Sequence, residues 1–97
     1  MNSMGISFED RVTMPKDVLL SGVQGESVLL NLESERYFGL DEVGTRMLSV
    51  LTSSNSIQAA YDALVDEYDV DAELLRQDLI ALLDKLVAQG LVEIADK

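Results

Sequence analysis

The chain has no histidine, no cysteine and no tryptophan, and a single proline in 97 residues. The missing thiols and imidazoles remove the usual ligands of zinc and copper, any disulfide framework and any nucleophile paired with a histidine base. Cations are scarce too. Seven Lys and Arg stand against 18 Asp and Glu, a net charge of −11. Duplex nucleic acid is held by neutralising phosphates with Lys and Arg, so this balance argues against such a partner. The start of the chain lacks the basic region and apolar run of a signal peptide. No stretch approaches the ~20 apolar residues of a membrane span. These absences imply a cytoplasmic protein away from membranes. They confine its chemistry to carboxylates, calcium or magnesium, or none.

What is present is apolar. Hydrophobic residues make up 47% of the chain, and the mean hydropathy is +0.13 despite the charge. An acidic disordered tail would have the opposite composition. A chain of this length hides roughly 60–65% of its unfolded surface, so some apolar side chains stay near the surface. We expect one domain over residues 1–97, with residues 1–14 partly flexible and residues 1–5 frayed.

The first half has a period of two. Residues 6–14 predict a short edge strand ending at Pro15. Residues 18–23 form a β-rich run closed by Gly22 and Gly25. Residues 26–32 alternate, with Val28, Leu30 and Leu32 on one face and Leu29 and Asn31 on the other. Glu33-Ser34 reads as a two-residue turn. Residues 35–40 form the third strand of the sheet, with Phe38 and Leu40 on one face and Tyr37 and Gly39 on the other. Strands this close in sequence predict an antiparallel meander.

After Leu40 the period becomes about 3.6. Asp41 caps a helix running to about Leu51, with an apolar stripe of Val43, Met47, Leu48, Val50 and Leu51. Ser56 caps a second helix to about Tyr68. Asp71 caps a third, to Gln89, whose apolar arc holds Leu75, Leu79, Ile80, Leu82, Leu83, Leu86 and Val87. Gly90 stands at the left-handed C-terminal position. Residues 91–95 form an apolar tail, a final strand or an extended cover. Strands followed by helices give an α+β class, with the plan of a winged helix-turn-helix: a three-stranded antiparallel sheet and then three helices.

Few residue groups can carry chemistry. Asp69, Asp71 and Glu73 match the first odd positions of a calcium loop. The loop then fails, with Leu74 where glycine is needed and Ile80 where the closing glutamate belongs. Helix capping and first-turn acids explain the cluster better. Asp78 and Asp84 lie about 120° apart on the third helix. They cannot form a close dyad and read as solvated. Gly22 and Gly25 lack the lysine and the strand-to-helix setting of a phosphate loop. Ser56-Ile57 lacks the Asp-Ser-Leu triplet of an acyl carrier. The second and third helices, as a DNA-reading pair, hold only Arg76 and Lys85 as cations among eight acids. Phosphate would repel them.

The same shape can bind peptide. An open sheet leaves unpaired backbone groups on its edge strand, and a peptide can add there as another strand. Residues 35–40 supply that edge, and the third helix supplies a facing wall. Leu74 falls outside the apolar arc, near Asp78 and Lys85, and fits either peptide capture or ordinary exposure.

Val28-Leu29-Leu30-Asn31-Leu32, Arg36-Tyr37-Phe38-Gly39-Leu40-Asp41 and Gly44 together resemble the family of the pyrroloquinoline quinone biosynthesis protein D. Ser56-Ile57, Tyr68-Asp69-Val70-Asp71, Asp78-Leu79, Leu82-Leu83, Leu86 and Gly90-Leu91-Val92 continue the resemblance in order. It spans about residues 15–94. It departs at Asp41, where asparagine is usual, at Met47, where aromatic residues are usual, and at Glu33-Ser34, where a glycine turn is usual.

The resemblance implies a non-catalytic recognition element without a cofactor. Such an element binds the leader of a ribosomally made precursor peptide and presents it to a modifying enzyme, such as a radical S-adenosylmethionine enzyme, a protease or a cyclase. By position, it implies a leader-binding set of Arg36, Tyr37, Phe38, Gly39 and Leu40 on the strand and Leu75, Asp78, Leu79 and Leu82 on the helix. Leu74 joins the set from the helical wheel. Two other readings stay open. One is a diverged winged-helix transcription regulator, which predicts salt-sensitive DNA binding. The other is a structural subunit of an enzyme complex that touches no peptide. An unpaired edge can also join two copies as a homodimer.

Overall fold

A computed structural model describes residues 6–95. The frayed start expected at residues 1–5 lies outside them. The elements in order are β1 (Arg11–Thr13), β2 (Val18–Val23), β3 (Glu26–Asn31), β4 (Arg36–Leu40), α1 (Glu42–Ser53), α2 (Ile57–Glu67), α3 (Ala72–Ala88) and β5 (Glu93–Ala95). Strands β2, β3 and β4 form an antiparallel meander in that order, and three helices follow, as the sequence predicts. The expected first strand narrows to β1. It pairs antiparallel with β5 in a separate two-stranded sheet, with Val12 opposite Ile94.

Local chemistry sets the turns. Between β2 and β3, Gln24 and Gly25 have φ of 53° and 86°. Two consecutive positive φ values make the I′ type of hairpin turn, whose twist matches the strands it joins. The β3–β4 connection differs from the two-residue turn expected at Glu33-Ser34. Asn31 pairs with Arg36, so the loop takes residues 32–35. Asn31 Oδ1 accepts from the Glu33 and Ser34 amides at 2.9 and 3.1 Å, and Glu35 takes a φ of 63°. A two-residue hairpin turn would have forced positive φ on Glu33, and in its I′ form on Ser34 as well; the asparagine turn leaves it to Glu35 alone.

The three predicted caps form. Asp41 Oδ1 accepts from the Gly44 amide at 2.8 Å, Ser56 Oγ from Ala59 at 3.0 Å, and Asp71 Oδ1 from Glu73 and Leu74 at 2.8 and 3.1 Å. Helix α3 ends as Gly90 implies. That residue has φ of +70°, its amide reaches the Val87 carbonyl, and the Leu91 amide reaches Leu86. The two bonds satisfy carbonyls that the helix end leaves free.

One core joins the layers. Leu29 of β3, Leu48 and Leu51 of α1, Leu64 of α2 and Leu79, Leu83 and Leu86 of α3 are fully buried. The inner face of β3 is therefore the Ser27–Leu29–Asn31 face, and Val28 points outward. Buried Ser27 shares a 2.7 Å hydrogen bond with Thr45 of α1, so its hydroxyl is not stranded. Residues 6–10 lie across the start of α2. The carbonyls of Asp10 and Phe8 accept from the Ile57 and Gln58 amides, both at 2.8 Å. These are donors that the first helical turn cannot satisfy itself. Phe8 meets Tyr61 edge to face at 5.9 Å, and the Arg76 guanidinium lies 4.6 Å from the Phe8 ring centroid. Arg46 of α1 reaches Glu67 of α2 through three hydrogen bonds of 2.8–3.1 Å.

Candidate functional site

Among the described residues, strand β4 pairs only with β3 and stands at the edge of its sheet. In an antiparallel edge strand, alternate residues turn their N–H and C=O away from the neighbour. Beside that edge opens a pocket of about 500 Å³. Phe38, Gly39 and Leu40 form its β4 wall, Val43 and Met47 of α1 its floor, and Asp78, Ala81, Leu82 and Lys85 of α3 the opposite wall. Phe38, Leu40, Val43, Met47, Ala81 and Leu82 give it apolar surface. Asp41, Asp78 and Lys85 add charge to the same lining.

Sequence explains how these walls meet. The chain turns from β4 into α1 at Asp41, whose cap on Gly44 starts the helix directly after the strand. Gly44 permits the tight junction. A Cβ there would sit 3.2 Å from Leu40 Cδ2 and 3.3 Å from Asp41 Oδ1. At the far end, two polar contacts hold the β3–β4 hairpin to α3. Asn31 Nδ2 donates to the Gly90 carbonyl at 3.0 Å, and Arg36 Nη1 reaches Gln89 Oε1 at 3.4 Å. Asn31 thus shapes its own loop with one end of its carboxamide and fixes the groove width with the other. A Cβ on Gly39 would meet nothing within 4 Å, so the strand has open space at its centre.

Of the ten candidate residues, Phe38, Gly39, Leu40, Asp78 and Leu82 line this groove together. Arg36 lies at the strand end nearest Gln89, and Tyr37 is 75% exposed on the other side of the sheet. Leu75 and Leu79 are buried in the core behind the groove, so their side chains have no free surface to offer. Leu74 is exposed at the start of α3 and is not a lining residue.

Several groove residues escaped the sequence reading. Val43 fits the apolar stripe of α1 by spacing, yet it is 47% exposed and lines the groove. Ala81 and Lys85 follow Asp78 at helical spacing of three and seven, a signal available once Asp78 is placed. Asp84, expected to be solvated, is half-buried. Its Oδ1 is enclosed without a hydrogen-bond partner among the described residues. It flanks the apolar arc between Ile80 and Val87. Among the described residues no group of three or more Asp and Glu is placed to hold a metal ion, and no helix is long and apolar enough to cross a membrane.

Residues 26–92 match the family model of coenzyme PQQ synthesis protein D. Two solved structures are similar. One is TbiB1 in complex with the TbiA(beta) leader peptide, at 34% identity over 84% of this chain and 94% of that one, with a TM-score of 0.76. The other is a lasso peptide synthetase B1 complexed with the leader peptide. It is 20% identical over 86% of this chain and 98% of that one, also with a TM-score of 0.76. No curated protein matches the chain.

Proposed function

The chain belongs to the family of coenzyme PQQ synthesis protein D, and from that premise we propose that it is a single-domain, non-catalytic peptide chaperone. It binds the leader of a ribosomally made precursor and presents the rest of the peptide to a modifying enzyme. The observation that carries this reading is the unpaired edge of β4 opening on a groove of mixed apolar and charged lining walled by α3. The 34% identical relative solved with a leader peptide supports it.

The leader pairs with the backbone of Arg36–Leu40. Five residues span about 17 Å, enough for a leader segment of similar length. Main-chain hydrogen bonds supply affinity there with little dependence on the strand's own side chains. Selectivity comes from the facing wall. Leu82 and Val43 contact an apolar leader residue, and Asp78 pairs with a basic one. Arg36 and Tyr37 contribute mainly through their strand backbone, and Leu74 extends the contact at the start of α3. Leu75 and Leu79 hold the helix from behind. A leader of this size covers on the order of 1,000 Å². No step needs a metal, a cofactor or a nucleophile.

Fluorescence anisotropy with a labelled leader peptide, encoded beside this gene, tests the reading. Saturable binding that a scrambled leader does not reproduce supports it. Equal binding of leader and scramble, or preferential binding of duplex DNA, refutes it.

A further inference from the structure

The three-stranded sheet has a second face that no element among the described residues covers. Its register aligns Leu19, Leu30 and Tyr37 in one row and Ser21, Val28 and Gly39 in the next, with Val23 opposite Glu26 at the turn. These positions face away from the core. Antiparallel sheets with one face in water usually place polar residues there. Here the face is mostly apolar. Leu19 is 52% exposed, Val23 67%, Val28 45% and Tyr37 75%. A contiguous apolar face marks an interaction surface, because single exposed hydrophobics are common but grouped ones are not.

We infer that this outer sheet face is the docking surface for the modifying enzyme, met by a protein surface with an apolar centre and a basic rim. The inference rests on the chaperone reading above. Three observations identify the occupant. First, the ends of the face are acidic. Asp17, Glu33 and Glu35 stand at one end with Lys16 and with Arg36, whose side chain turns to Gln89, and Glu26 at the other. Complementary charge on the partner steers encounter and excludes like-charged surfaces. A second copy of this chain carries the same acids and the same net charge of −11, so self-pairing here is opposed.

Second, the face is continuous with the groove. Strand β4 gives Phe38 and Leu40 to the inner side and Tyr37 and Gly39 to the outer one. A leader strand added to β4 places its own alternate side chains on both sides as well. An enzyme seated on the outer face therefore meets the protein and the leader as one surface. Third, the face has a recess for an anchor. A pocket of about 460 Å³ lies at the turn end, lined by Val23, Val28 and Gly39 among others. Leu40 and Asp41, with Gly39, line both this recess and the groove. Interface affinity concentrates in side chains that fill such recesses.

The test uses the full chain and the purified modifying enzyme encoded beside its gene, by calorimetry with and without the leader peptide. The wild type binds the enzyme, and more tightly with leader present. The double variant Leu19→Arg/Val28→Arg loses at least tenfold in enzyme affinity and keeps leader affinity within twofold. Val23→Arg, at the edge of the face, does the same more weakly and guards against misfolding of the double variant. Glu26→Lys slows association and flattens its salt dependence. Absence of enzyme binding by the wild type, or wild-type enzyme affinity in the arginine variants, overturns the inference. So does a wild-type dimer in sedimentation that the double variant dissolves. Normal leader binding with an enzyme indifferent to this face leaves the chaperone reading standing without the docking surface. Enzyme binding that depends on Leu19 and Val28, without leader binding, does the reverse.

Discussion

Replacing Val43 by alanine, and separately by aspartate, probes the groove without opening the core. Val43 sits in the first turn of α1 and is 47% exposed beside Met47 and Leu82. Full burial of the two methyl groups lost in alanine is worth about 1.6 kcal/mol. A bound leader can cover only the exposed half, so Val43→Ala costs about 0.8 kcal/mol, or roughly a fourfold rise in Kd. Val43→Asp sets an unpaired charge against the covered peptide. That costs about 2–3 kcal/mol, a loss of roughly 30- to 150-fold. Folding should hardly change, because an acid in the first helical turn is favoured by the helix dipole and offsets its crowding with Asp41 and Glu42. Anisotropy titrations read the Kd, and thermal melts of the same samples check the fold. A folded Val43→Asp protein that binds leader within twofold of wild type would refute the placement of the peptide between β4, α1 and α3.

Other substitutions separate support from contact. Leu79→Ala empties a fully buried site and should cost about 2–5 kcal/mol in urea unfolding, with leader affinity kept once the protein is folded. Asn31→Ala removes the bond to the Gly90 carbonyl and the loop bonds together, so stability should fall by about 1–3 kcal/mol and leader affinity with it. Asp78→Asn should weaken a leader bearing a cation and reduce the salt dependence of binding, and leave a leader stripped of its basic residues unaffected.

The Arg46–Glu67 pair gives a pH prediction. The hydrogen bond from Arg46, with its charge, holds the Glu67 carboxyl below its ordinary value of 4.5, and Glu67 in turn raises Arg46. A depressed carboxyl stabilises the fold above its unfolded pKa and loses that contribution as pH falls through the folded value. Glu67→Gln should therefore flatten the acid limb of the stability curve and leave the curve above pH 7 parallel to wild type. Both side chains are solvent-exposed, so the effect is small and shrinks in high salt.

The readable parts of this chain are those set by neighbours in sequence. Asp41, Ser56, Asp71 and Gly90 act on amides and carbonyls within a few residues, and each forms the helix end its chemistry predicts. The meander follows from alternation and short turns. The β1–β5 pair joins residues some 80 positions apart, and a three-residue strand carries too little pattern to name its partner. The β3–β4 loop differs from a two-residue turn because Asn31, legible only as a strand residue, folds its side chain back onto the loop. In the site, the β4 edge follows from the open meander, the role of Asp78 from resemblance, and the exposure of Leu74 from the helical wheel. Periodicity marks Val43, Leu75 and Leu79 alike as apolar positions. Only the packing separates the half-open Val43 from the two leucines sealed behind it, because depth along a helix face depends on what lies across from it.

Amide-resolved NMR of the labelled protein, titrated with its leader peptide and with duplex DNA as control, reads leader capture residue by residue. Strand addition to β4 gives saturable shifts along Arg36–Leu40 and at Asp78 to Leu82, with slowed exchange of the outward amides of β4 and no response to DNA. Shifts confined to Val18–Val23, the other edge of the sheet, or no response to any leader would contradict it.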